Sequence, residues 1–168
     1  HALESIWNKN SSEESIDIAI KALDLICNSF IKVINNPSDS EARMNMQIAS
    51  LLSGIAISKT RTALAHSISY PLTSRFKVPH GLACSFTLVS IIDFLSEEIE
   101  LDKRFVEIAE PVREVLTQLD LKKEISSYLT FIKANEYIDE MYSPERADNF
   151  LLPVNLEDIS YIIESSFN

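Results

Sequence analysis

Residues 11–36 read SSEESIDIAIKALDLICNSFIKVINN, and this stretch decides the fold class. Apolar side chains recur at Ile16, Ala19, Ile20, Leu23, Ile26, Phe30, Val33 and Ile34, the three- and four-residue spacing that turns one face of an α-helix toward a core. Ser11 and Glu14 have the spacing of a capping box, in which two side chains accept amide protons that the first turn leaves without intrahelical partners. Asn35, Asn36 and Pro37 close the run. A second box, Ser38 with Glu41, opens a helix through Met46, Ala49, Leu52 and Ala56. Its Ala and Ser positions, with Gly54, predict close approach by a neighbouring helix.

The same periodicity predicts helices near 81–95, 103–118, 121–134 and 156–166. Asn155 with Asp158 resembles a cap, and Ser143 followed by Pro144 marks another helix start. Alternating strand patterns and Asn-Gly or Asp-Gly hairpin signals are missing, so the chain is expected to be all-α and bundle-like, one helical domain over residues 1–168. The opening HALESIWN has no Met and no capping residue before its apolar pattern, as in a helix cut in the middle of a longer protein.

Composition narrows the function. With 168 residues, 46% hydrophobic and 24% charged, the chain can bury a real core. The apolar stretches LLSGIAI (51–57) and LVSII (88–92) fall far short of the ~20 residues that cross a bilayer, and no signal or lipidation motif is seen. A cytoplasmic location without membrane contact is therefore expected. A net charge of −10 argues against nucleic acid, whose phosphates need Lys and Arg. Cys27 and Cys84 lie in apolar helical patterns and read as small buried hydrophobes rather than a disulfide. With Gly54 and Gly81 as its only glycines the chain has no glycine-rich phosphate loop, so a nucleotide would need another domain.

Two of the three histidines fall in HSISYPLTSRFKVPHG, residues 66–81. On one continuous helix His66 and His80 would stand roughly 21 Å apart. Pro71 and Pro79 argue against such a helix, because proline lacks an amide donor and disfavours helix in the residue before it. The chain can then turn back and bring the imidazoles together. Histidine is a common zinc and iron ligand, but this spacing does not by itself force shared ligation. Hydrogen-bonded structural imidazoles in a free-standing helical interaction module are the alternative.

Several motifs resemble the iron-containing (group III) alcohol dehydrogenases. HALESIWN is similar to the helix in which an Asp precedes a His by four positions. RTALAHSISYPLTSRFKVPHG resembles the signature that places a His fourteen residues before the His of Pro-His-Gly. MNMQIASLLSGIAISKTRTALAH is similar to the preceding family helix. The resemblance covers most of the first 95 residues, and it implies a helical metal-binding domain beside an α/β nucleotide-binding domain that this chain does not contain. It implies His1, His66 and His80 as three metal ligands, with the fourth, an Asp, just before His1. It further implies Fe2+, or Zn2+ in some relatives, and hydride exchange between NADH or NADPH and a small aldehyde or alcohol. Where many members have a second His, this chain has Tyr70, whose phenol titrates near ~10 rather than near neutrality, so Tyr70 either relays protons differently or lines the pocket wall. The pattern AHSISYPLT is similar to a branch that includes phosphonoacetaldehyde reductases. An anionic substrate would need a cation, and Arg75, Lys77 and Lys9 are the nearest to the implied ligands in sequence. A homo-oligomer is compatible with all of this.

Overall fold

The computed structural model describes residues 1–98 and 103–168. Among them are twelve helices and no sheet, as the periodicity requires: α1 (Ala2–Ile6), α2 (Glu13–Asn35), α3 (Ser40–Thr60), α4 (Leu64–Phe76), α5 (His80–Ser85), α6 (Leu88–Glu98), α7 (Lys103–Thr117), α8 (Leu121–Ser126), α9 (Phe131–Asn135), α10 (Ile138–Met141), α11 (Pro144–Ala147) and α12 (Leu156–Phe167). They form two compact units. The first comprises His1–Arg61 and the α7 residues up to Val115; the second comprises the remaining described residues from Thr62 onward.

In the first unit α2 and α3 pack along their length, and α1 lies against both. The contact faces are built from small side chains: Ser15, Ala19, Ala22 and Ser29 on α2, and Ala42, Ala49, Ser53 and Ala56 on α3, all buried. Small residues let backbones approach closely, which is why α3 has a buried face despite its mixed composition. Gly54 does not belong to that face. It is exposed, and a methyl group added there would meet nothing within 4 Å.

Both expected caps shift by one residue, and the first of them forms a box. Ser12 caps α2, its Oγ accepting from the Ser15 amide (3.2 Å) while the Ser12 amide donates to Ser15 Oγ (2.9 Å). Glu14 instead meets Lys59 at 3.0 Å on the surface. Asp39 caps α3, accepting from the Ala42 amide at 2.9 Å. Each neighbouring pair has the same three-residue spacing, so burial of Ser15 and the charge of Asp39 choose between registers that a linear pattern leaves equal. Trp7 is 1% exposed and meets Phe105 edge-on, a packing role.

In the second unit α12 packs on α6, α8, α9 and α10 through Ile159, Ile162 and Ile163. Its capping box forms as expected, with Asn155 Oδ1 accepting from the Glu157 and Asp158 amides (2.7 and 3.1 Å) and Asp158 Oδ2 accepting from the Asn155 amide (2.8 Å). The helix expected over 81–95 is divided into α5 and α6. Ser85 Oγ donates to the Gly81 carbonyl, and Phe86 turns inward to pack on Phe167, with ring centroids 5.6 Å apart. The helix expected over 121–134 is also divided, because Thr130 opens α9 by accepting from the Lys133 amide at 3.3 Å.

Candidate metal centre

Pro71 does not interrupt α4. It is buried within the helix, where α4 packs against α10 and α11, and this packing offsets the missing amide donor. One turn earlier the buried Ser67 clamps the helix: its Oγ donates to the Met141 carbonyl at 2.6 Å and accepts from the Ser143 amide at 2.8 Å. His66, 6% exposed, is thus held on a helix fixed to both sides.

The reversal comes at Lys77. Its backbone is left-handed (φ 60°, ψ 24°), its amide donates to Thr73, and the amide of buried Val78 reaches back to Leu72. Pro79 follows in an extended conformation and His80 opens α5. The imidazoles of His66 and His80 come to 5.4 Å between centroids, crossing at 62°. One turn along α5, Cys84 Sγ lies 3.7 Å from His80 Nε2. One donor atom each from His66, His80 and Cys84 falls within 4.8 Å of the others. Imidazole nitrogen with a thiol sulfur is a donor set that suits Zn2+ or Fe2+, so the residues fit such an ion.

Cys84 was expected to be a buried hydrophobe and is instead half-buried beside His80. The signal was present in sequence: His80 and Cys84 are four apart, which on a helix is one face.

The other candidates are distributed differently. His1 is exposed at the head of α1 in the first unit, its carbonyl accepting from the Ser5 amide and hydroxyl. Lys9 belongs to that unit too and is exposed. In the second unit Tyr70 is 50% exposed, with the Arg146 guanidinium carbon 4.1 Å above its ring. Arg75 is engaged by Glu140 through two bonds of 2.7 and 2.6 Å and lies 5.1 Å from the centre of the Tyr137 ring. Those bonds hold Glu140 below the usual carboxylate range and raise Arg75. Lys77 directs its ammonium to the Ser74 carbonyl at 2.9 Å.

The family model described as the C-terminal part of the Fe-containing alcohol dehydrogenase family matches residues 1–150. A phosphonoacetaldehyde reductase of Streptomyces viridochromogenes is 36% identical over 91 residues, 54% of this chain and 23% of that protein. Long-chain-alcohol dehydrogenase 1 of Geobacillus thermodenitrificans is 32% identical over 97 residues, 58% of this chain and 25% of that protein. Among solved structures, an iron-containing alcohol dehydrogenase from Thermotoga maritima superposes with a TM-score of 0.76 at 26% identity, covering 99% of this chain and 46% of the other. The chain thus spans about a quarter of the curated relatives and under half of the solved one. The match over residues 1–150, the helical architecture and the pairing of His66 with His80 give one conclusion: this chain belongs to the Fe-containing alcohol dehydrogenase family, in its C-terminal helical part.

Proposed function

We propose that this chain is the metal-binding portion of an alcohol dehydrogenase or aldehyde reductase that exchanges hydride between NADH or NADPH and a small aldehyde or alcohol. The carrying observation is the convergence of two histidines fourteen residues apart through a helix that runs over Pro71 and reverses at Lys77. His66 and His80 would hold a divalent cation, with His1 as the third ligand by family resemblance. Such a cation supplies Lewis acidity toward a carbonyl or hydroxyl oxygen. The protein's own part is to fix the imidazoles. Ser67 locks α4 against the backbone on either side of Tyr142, and the left-handed turn at Lys77 aims α5 back at α4. Nicotinamide binding belongs to an α/β domain outside this chain, consistent with two glycines and with the quarter-length match to curated relatives.

The substrate reading is a small anionic aldehyde such as phosphonoacetaldehyde, supported by the 36% identical reductase. Attraction of the anion is assigned to Lys77 and Lys9, the cations near the ligands in sequence, while Arg75 is bound to Glu140. Tyr70, under Arg146, serves as wall or proton relay.

Single replacement of His1, His66 or His80 by Ala in the full-length protein should remove most bound iron or zinc and nearly all NAD(P)H-dependent turnover while the helical circular dichroism stays. Unchanged metal content and turnover in His80→Ala would reject the reading. Equal catalytic efficiency on phosphonoacetaldehyde and a neutral aldehyde of similar size would reject only the anionic substrate.

A further inference from the structure

Arg146 is far along the chain from the histidines, on α11, yet its guanidinium carbon stands 4.1 Å over the centre of the Tyr70 ring. Tyr70 follows His66 by one helical turn, so the two side chains share a face of α4. The cation is thereby carried to the turn of α4 next to His66. Helix α11 is fastened there at both ends: the Ser143 amide donates to Ser67 Oγ at 2.8 Å, and Asn149 Nδ2 donates to the carbonyl of Thr62, just ahead of α4, at 2.9 Å. Ser67 therefore fixes the helix that carries His66 and the start of the helix that carries Arg146.

Within this frame Arg146 Nη1 donates to Ser143 Oγ at 3.2 Å, and the side chain is 26% exposed, which leaves the cation partly desolvated. Its fork has no acceptor. Among the described residues the carboxylate paired with it is that of Glu145, 4.0 Å away, beyond hydrogen-bonding distance and exposed to water. Arg75 shows the contrast, its fork closed by both oxygens of Glu140 at 2.7 and 2.6 Å. A guanidinium presents its N–H donors in one plane, a geometry that matches two oxygens of a carboxylate or a phosphonate.

We propose that Arg146 binds the anionic group of the substrate, with the carbonyl end toward His66 and His80, so that the site takes short aldehydes carrying a phosphonate or carboxylate close to the carbonyl. This deepens the reductase reading above and rests on it. Arg146 holds the substrate by its charged end, and Tyr70 forms the wall beneath the guanidinium. The separation of the anion subsite from His66 is set by the Ser67 hydroxyl, which joins α4 to the start of α11.

The test uses the full-length protein with NADH or NADPH and two aldehydes of similar size, phosphonoacetaldehyde and the neutral butyraldehyde. The readout is the ratio of their catalytic efficiencies, anionic over neutral, which a residue of purely structural role leaves unmoved. Arg146→Met, which keeps an unbranched stem over Tyr70, should lower that ratio roughly ten- to a hundredfold, chiefly through KM. Calorimetric binding of 2-hydroxyethylphosphonate, the alcohol product, should weaken by a similar factor. Arg146→Lys keeps the charge without the fork and should fall between the wild type and Arg146→Met. If Arg146→Met does not fold, the ratio in Arg146→Lys decides alone. A wild-type preference for phosphonoacetaldehyde that survives these replacements, or an equal loss on both aldehydes, would overturn Arg146 as the anion site and leave the anionic-substrate reading standing. Equal efficiency on the two aldehydes in the wild type would overturn both.

Discussion

At Arg61 the backbone takes φ 69° and ψ 170°, a region nearly reserved for glycine. Three bonds hold it there: the Arg61 amide donates to Ile57 at 2.8 Å, and its carbonyl accepts from Asn8 Nδ2 at 3.0 Å and from Thr60 Oγ1 at 3.3 Å. Such strain costs on the order of 1–3 kcal/mol, whereas glycine adds about 0.5–1 kcal/mol of unfolded-chain entropy. Arg61→Gly should therefore raise the urea midpoint, by a net of about 1 kcal/mol. A lowered midpoint would show that the Arg61 side chain matters more than its backbone. Ser67 makes the opposite case. Ser67→Ala leaves a buried amide and carbonyl without their shared partner and should cost about 1–3 kcal/mol by chemical denaturation. Cys27 is half-buried on α2, and burial, reinforced by Asp24, pushes its thiol up to about 11. The protonated form is favoured in the fold, so any stability tied to it is present below pH 9 and falls as pH rises toward 11. Alkylation of Cys27 in a Cys84→Ser background should stay slow through pH 9 and climb only above it. A plateau reached at pH 9 would contradict the burial assigned to Cys27.

Among the elements, α2 and α3 depend on volume more than on apolarity. Ala49 is fully buried on α3 in a face of small side chains, so Ala49→Leu should destabilise the protein by about 1–3 kcal/mol although leucine is the more hydrophobic residue. Calorimetry reads the outcome, and an unchanged melting temperature would mean that the two helices can separate at little cost. The caps of α2 and α3 illustrate what spacing leaves undecided: Ser11 or Ser12, Ser38 or Asp39, each able to serve as the N-cap. Tertiary burial of Ser15 selects the first, and a charged acceptor selects the second. For α12 no competing pair is in register, and the box at Asn155 and Asp158 is found where the residues place it.

For the molecule as a whole, bound metal should act as a folding ligand. Zn2+ held at one hundred times its dissociation constant stabilises the state that binds it by about 2.7 kcal/mol through mass action. Adding Zn2+ to the stripped full-length protein should raise its melting temperature, chelator should reverse the rise, and His80→Ala should abolish it. An equal rise in His80→Ala would locate the binding elsewhere.

Periodicity alone determined that the chain is helical, because three- and four-residue spacing of apolar residues has one structural solution wherever it persists, as over 16–34. The ordered motifs around His1, His66 and His80 likewise carried the family without coordinates. Tertiary structure decided what depends on contacts distant in sequence. Pro71 stays inside α4 because α10 and α11 pack against that helix, and Arg75 is taken by Glu140, sixty-five residues away. Cys84 meets His80 because α5 begins at His80, a boundary created by the left-handed turn at Lys77 and the extended Pro79. A linear pattern records which residues can share a face; only the packed chain selects the face and the neighbour it meets.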